Sequence, residues 1–305
     1  MPHASIALVG ECMLELQGEA FGTMRQTFGG DTLNTAVYLA RCAPDVSVHF
    51  ATAVGDDPLS EGLVQRWQAE GVATDLVRRI PGRLPGLYLI ETDAHGERRF
   101  SYWRDTSAAK AYFDADATPL EARAAEWQAL YLSGITLAIL PPAGRERLYA
   151  LMRSMRERGA MVAFDNNYRP RLWPDRDEAR ACFSRALDLA TVALVSLDDH
   201  QALFGAACDG SELQAGEAIV KRGADATQVR PTPMGAWHEV PTERIERVVD
   251  TTAAGDSFAA GYLARRLAGA DPVDATRHGN RLAARVVQHR GALIPRDAMR
   301  DLMSA

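Results

Sequence analysis

The sequence predicts an α/β fold: a three-layer α/β/α domain on a mainly parallel sheet, with a small β-sheet standing off it as a lid. Three observations carry this. Short apolar runs rich in Val, Ile, Leu and Ala recur at Ser5 to Gly10, Val46 to Val54, Ala129 to Leu132, Met161 to Phe164, Val192 to Ser196 and Glu217 to Lys221, as in strands buried on both faces. Between several of them lie segments with helical spacing, Thr32 to Cys42, Leu59 to Glu70, Gly144 to Arg158 and Glu178 to Leu189; this alternation predicts crossover units around a parallel sheet. One region breaks the rhythm. Gly86 to Arg104 offers two β-rich arms around Asp93-Ala94-His95-Gly96, where Asp and Gly suit a tight turn.

That hairpin, with Met13 to Gln17 and Met24 to Phe28, supplies the strands of the expected lid, inserted at about 11–28 and 84–104 of one domain spanning 1–305. The C-terminal third reads as three helices, Ala254 to Leu267, Val273 to Gln288 and Arg296 to Met303, with strand-like Ile245 to Val249 before them. Between Phe204 and Gly216 the chain is short for a full crossover helix. At 305 residues it can bury a substantial core.

Lys and Arg total 34 against 40 Asp and Glu, a net charge of −6 with no block of like charge. Neither a nucleic-acid groove nor a polybasic membrane patch is expected. Cys12, Cys42, Cys182 and Cys208 form no Cys-x-x-Cys pair, so reduced thiols are expected rather than a zinc or disulfide framework. Met1 to Glu11 enters a strand-like run without a basic leader or cleavage site, and a soluble cytoplasmic protein is the expectation.

The most informative segment is Asp250-Thr251-Thr252-Ala253-Ala254-Gly255-Asp256-Ser257-Phe258-Ala259-Ala260-Gly261. Small residues opening a helix leave backbone N–H groups and the positive end of the helix dipole free to hold phosphate. Asp256 would suit such a first turn merely by complementing the dipole. Beside a phosphate cradle it would also serve as the base that accepts the proton of an attacking hydroxyl.

This segment resembles the second signature of the ribokinase-like (PfkB) carbohydrate kinases, and Phe28-Gly29-Gly30-Asp31-Thr32-Leu33-Asn34-Thr35-Ala36 resembles the first. Four further stretches are similar to the bacterial 2-keto-3-deoxygluconate kinases within that family: Gly10-Glu11-Cys12-Met13-Leu14-Glu15-Leu16, Arg83-Leu84-Pro85-Gly86-Leu87-Tyr88, Asp165-Asn166-Asn167-Tyr168-Arg169-Pro170-Arg171-Leu172-Trp173 and Val220-Lys221-Arg222-Gly223-Ala224-Asp225. The resemblance implies a Rossmann-like domain with a β-lid. It implies Asp256 as catalytic base, and Ala253, Ala254 and Gly255 as an anion hole. Gly30, Asp31 and Asn34 would hold sugar hydroxyls, while Tyr88, Tyr102 and Arg104 would close over the sugar. Arg169 would reach both sugar and nucleotide, and Asn167, Lys221, Gly223, Asp225 and Asn280 would lie on the ATP side. It brings ATP with Mg2+, leaves assistance by K+ open, and suggests a homo-oligomer paired through the lid.

Arginines select among sugars. A guanidinium matches a carboxylate with two parallel hydrogen bonds, whereas a neutral sugar leaves it without its best partner. Arg104, Arg169 and Arg171 therefore favour a sugar acid, with a fructokinase- or ribokinase-like neutral substrate as the alternative. The same tyrosines would also serve as ordinary strand formers, and Arg171 as half of a surface ion pair. A catalytically idle sugar-binding module is a second alternative, opposed by the intact Asp256. A dinucleotide oxidoreductase is a third, opposed by the absence of G-x-G-x-x-G after the first strand.

Two departures from the family pattern stand out. Ala253 replaces a frequent Gly, tolerable where the backbone avoids positive φ. Ser196-Leu197-Asp198-Asp199 stands where relatives carry an Asn-x-x-Glu motif linked with magnesium, so no metal ligand is assigned.

Overall fold

The structure, a computed structural model, describes residues 4–19, 21–92 and 98–303. Its strands are β1 (Ala4–Val9), β2 (Met13–Gly18), β3 (Met24–Gly29), β4 (Val46–Ala51), β5 (Ala53–Val54), β6 (Arg78–Arg79), β7 (Gly86–Thr92), β8 (Arg98–Trp103), β9 (Ala129–Ser133), β10 (Met161–Asp165), β11 (Val192–Ser196), β12 (Glu217–Lys221), β13 (Thr227–Arg230) and β14 (His238–Val240). Its α-helices are α1 (Asp31–Cys42), α2 (Pro58–Ala69), α3 (Pro119–Ala122), α4 (Gly134–Ile139), α5 (Pro142–Glu157), α6 (Arg176–Leu189), α7 (Leu197–Phe204), α8 (Ala254–Leu267) and α9 (Pro272–Val286).

The main sheet has eight strands in the order β14-β13-β12-β11-β10-β9-β1-β4. It is parallel from β4 to β12, and the β13 and β14 ribbon closes it antiparallel. Successive side chains feed opposite faces. Ala7, Val9, Leu130, Leu132, Val162 and Phe164 enter the core beneath α4, α5 and α6. Ile6, Leu8, Ala129, Tyr131, Ala163 and Leu194 enter the core beneath α1, α8 and α9. With both faces covered, no position needs to be polar, which is why these strands read as continuous apolar runs.

The lid is a four-stranded sheet, β3-β2-β7-β8. The turn expected at Asp93-Ala94-His95-Gly96 lies outside the described residues. No helix among the described residues is long and apolar enough to cross a membrane.

Several expected elements differ. The run Val46 to Val54 is two strands, because β4 leaves β1 at Ala51 and the carbonyl of Thr52 then accepts from the Arg78 amide, starting the separate β5 and β6 ribbon. Ile245 to Val249 is no strand. The amides of Val249 and Asp250 both donate to the carbonyl of Val287, just past α9, which offers no ladder to extend. The last expected helix is 3-10 in form over Arg296–Leu302. The short stretch after Phe204 is explained by α7, eight residues long, which makes the crossover from β11 to β12 with turns alone.

Candidate active site

The parallel strands end on one edge of the sheet, and the residues following them line a cleft of about 440 Å³ roofed by the lid. This is where open parallel sheets hold ligands. Asp165 ends β10, Ser196 ends β11 and Lys221 ends β12. Met13, Tyr88, Phe100 and Tyr102 face the cleft from the lid.

Asp256 sits in the first turn of α8. The N-cap residue of that helix, Ala253, offers no side-chain cap; the Ala254 amide donates to the Thr251 carbonyl at 3.2 Å, and Ala253, Ala254 and Gly255 line the cleft. The loop before it is shaped by Asp250, whose Oδ1 accepts from the Thr252 amide at 3.0 Å and hydroxyl at 2.7 Å, and whose Oδ2 accepts from the Gly291 amide at 3.0 Å. Ala253 has φ 62° and ψ 16°, the left-handed region. The condition under which a methyl group is tolerated here without strain, a backbone that avoids positive φ, is not met. A methyl group there costs about 1–2 kcal/mol, held in place by the loop on one side and the helix on the other.

The two signatures meet across the cleft. Asn34 Nδ2 donates to Asp256 Oδ2 at 2.9 Å, and Thr35 Oγ1 donates to the Asp256 carbonyl at 3.2 Å. Asn34 is buried and its Oδ1 has no partner, so it is not the exposed first-turn residue that a helix start alone would explain. Gly30 begins α1 with extended backbone, and a Cβ there would lie 2.1 Å from the carbonyl oxygen of Glu11. Its lack of a side chain lets the first-signature loop pass the lid entry.

Three carboxyls share the floor. Burial, the Asp31 carboxylate and Asp165 push Asp256 up to about 8, against hydrogen bonding from Asn34 and the charge of Lys221. Burial also raises Asp31, opposed by hydrogen bonds from Ser133, the Thr32 amide and Asn167. Asn167 Nδ2 donates to Asp31 Oδ2 at 2.8 Å, from a backbone with φ 26°. Lys221 Nζ lies 3.1 and 3.0 Å from the two oxygens of Asp165. It is not the solvated strand end that its position on β12 would also allow.

Arg169 lines the cleft, half exposed, with Nη1 3.2 Å from both oxygens of Asp199. Burial raises Asp199, opposed by Arg169. Tyr88 faces Tyr102 with ring centroids 6.0 Å apart, and its hydroxyl donates to Glu15.

Five expected site residues are not brought to the cleft lining. Arg104 is 8% exposed and pairs with buried Glu11, leaving its Nε and Glu11 Oε1 without partners. Asn280 is spent on structure: its Oδ1 accepts from Thr227 Oγ1 at 2.8 Å, and its Nδ2 donates to the carbonyls of Val240 and Pro241, tying α9 to the β13 and β14 ribbon. Gly223, with φ 63°, and Asp225, whose amide donates to Arg222, form the turn after β12. Arg171 lies on an exposed 3-10 turn.

Conversely, Asp165, Asp199, Ser196, Thr251 and Thr252 line the cleft without having been singled out as ligand contacts. Asp165 had a signal, an acid at the carboxyl end of an apolar strand. Ile135 and Phe100 had none.

Comparison with known proteins agrees with this geometry. Residues 3–299 match the pfkB family of carbohydrate kinases. The chain is 47% identical over 310 residues to a 2-dehydro-3-deoxygluconokinase of Dickeya dadantii, covering 98% of this chain and 99% of that one. It is 46% identical over 305 residues to the enzyme of the same name from Escherichia coli K12, covering 96% and 98%. A fructokinase from Xylella fastidiosa solved with bound ATP superposes with a TM-score of 0.83 at 25% identity, over 98% of this chain and 97% of that one. The lid, the two signatures meeting at Asp256 and the match over nearly the whole length have one explanation: this chain belongs to the pfkB family of carbohydrate kinases.

Proposed function

We propose that this protein phosphorylates 2-keto-3-deoxy-D-gluconate with ATP at its terminal primary hydroxyl, giving 2-keto-3-deoxy-6-phosphogluconate. The observation that carries the reading is the Asp256 carboxyl standing at the open amino end of α8 inside the lid-roofed cleft. The relatives named 2-dehydro-3-deoxygluconokinase, alike over almost the whole chain, favour this acceptor.

Asp256 takes the proton of the attacking hydroxyl, and its raised affinity for a proton suits a base near neutral pH. Asn34 holds that carboxylate by one amide hydrogen, and its buried Oδ1 has no partner. The Gly255 amide meets negative charge on the transferring phosphoryl group, joined by that of Ala254 once it leaves the Thr251 carbonyl. Lys221, within reach of the same helix end, adds a cation beside Asp165. Asp165, Asp199 and the Ser196 hydroxyl supply hard oxygen donors fit for a nucleotide-borne Mg2+, which when bound would neutralise the phosphate oxygens.

Arg169 is the cleft guanidinium suited to the substrate carboxylate, released from Asp199 when the acid binds. Its present pairing with Asp199 is also what a neutral-sugar kinase would show, so the acceptor is tested directly. In an ADP-release screen of sugar acids against fructose and ribose, 2-keto-3-deoxygluconate gives the highest kcat/KM. Arg169→Ala lowers that value by about 10–100-fold while leaving residual turnover of neutral sugars unchanged, since losing one charge-assisted pair costs about 1.5–3 kcal/mol. Equal losses on acids and neutral sugars would remove Arg169 from carboxylate recognition.

A further inference from the structure

Away from the cleft, the irregular stretch between α7 and β12 gathers His200, Cys208 and Glu212, with ligand atoms all within 4.8 Å of one another. His200 is 2% exposed, its ring 4.8 Å from that of Phe204. Its Nε2 lies 2.5 Å from Glu212 Oε1, and its Nδ1 has no partner. Cys208 is a free, half-buried thiol. Glu212 Oε2 accepts from the Gly210 amide at 3.1 Å, and Asp209 Oδ1 accepts from the Ser211 amide at 2.9 Å, so the loop that carries the thiol and the carboxyl is folded back toward α7.

We propose that His200, Cys208 and Glu212 form a site for a divalent cation of the zinc type, fastening this loop to α7. One imidazole nitrogen, one thiolate and one carboxylate oxygen are the donor set that borderline-soft cations take, and Mg2+ does not favour thiolate. Tetrahedral bonds of about 2.0–2.3 Å separate ligand atoms by roughly 3.5 Å. Side-chain shifts of about 1 Å therefore close the site, with water in the fourth position. The Cys208 thiol releases its proton to solvent on binding. Residues 205–216 contain turns and no helix or strand; the Leu213 and Ala215 carbonyls accept from Arg230 at the far end of the loop, and the cation would fasten the near end, at Cys208 and Glu212, to α7.

The test uses the full chain, stripped with a chelator, dialysed and kept free of nucleotide. Co2+ is added and then competed with Zn2+. The expected result is one Co2+ per chain with thiolate-to-metal charge-transfer absorption, lost on adding Zn2+, and a Tm raised by roughly 5 °C at a hundredfold excess of Zn2+ over Kd. Cys208→Ser abolishes the absorption, and Glu212→Gln weakens binding about tenfold or more. Asp165→Asn, in the cleft, leaves both unchanged. Glu212 is exposed on a loop, so its variant reports on the site without disturbing the core. Absence of the charge-transfer band, or its persistence in Cys208→Ser, would overturn the proposal and leave a His200 to Glu212 hydrogen bond alone.

Discussion

Asp256 concentrates the chemistry at the residue scale, and its surroundings set its proton affinity. Asp256→Asn keeps the hydrogen-bonding shape toward Asn34 but has no basic oxygen to spare. Turnover should fall by about 10²–10⁴-fold with sugar and nucleotide binding retained, as read by single-turnover kinetics beside calorimetric titration. Unchanged turnover would refute its role as base. The same substitution should stabilise the fold. Asp256 titrates higher folded, near 8, than unfolded, near pH 4. Its contribution to stability is therefore complete below about pH 4 and is lost as pH rises through about 8. The Asn variant should melt a few degrees above wild type at pH 8, with the two converging toward pH 4. For activity the sign reverses, because the base works deprotonated: kcat/KM should climb with pH, pass half its plateau near 8 and level off above that. Asp31→Asn removes the adjacent charge that helps raise Asp256, so the limb should move to lower pH whatever the height of the plateau.

Single elements matter through how closely they approach. The helix α8 that carries Asp256 lies directly on α9, where a Cβ on Gly279 would come 2.8 Å from the carbonyl oxygen of Phe258, and one on Gly261 would come 3.1 Å from the Cα of Gly279. Backbone meets backbone here, so no side-chain rotation relieves the clash. Gly279→Ala should cost about 1–3 kcal/mol, seen as a Tm lower by several degrees, and should reduce kcat by tilting the amino end of α8 out of line with Asn34. A variant melting like wild type would show that the two helices slide apart freely. The same element logic explains Asn280, one residue on. It faces the β13 and β14 ribbon and uses three hydrogen bonds to hold it, a role that no spacing in the sequence announces.

Across the whole molecule, the lid is an open sheet whose outer strand leaves Trp103 59%, Tyr102 48% and Phe100 38% exposed. Phe100 and Tyr102 turn to the cleft, whereas Trp103 faces the other side of the strand; an aromatic so exposed on an edge strand favours burial against another surface, and the lid pairing that the family resemblance suggests would cover it. On that reading the protein sediments as a dimer and Trp103→Ser shifts it toward monomer at micromolar concentration. A wild-type monomer at the same concentration would dismiss lid pairing. The buried Glu11 and Arg104 pair lies where the lid leaves the main sheet, so this guanidinium is held at the base of the lid.

Much of this was legible in the one-dimensional text. Strands buried on both faces declare themselves as apolar runs, as at Met161 to Phe164. The opening of α8 declares itself because only small residues leave helix amides uncovered. What the sequence determined was therefore set by local geometry and periodicity: the layered fold, the lid arms and the small-residue opening of α8 that carries Asp256. Contacts between residues far apart decided the rest. Arg104 turned to Glu11 and away from the cleft, Asn280 was consumed by a ribbon, Ala253 was driven into the left-handed region by its flanking loop, and Asp165 joined Asp31 and Asp256 in one acidic floor. Each outcome depends on which charge or carbonyl arrives from another element. That distance is settled only when the sheet has closed and the helices have packed.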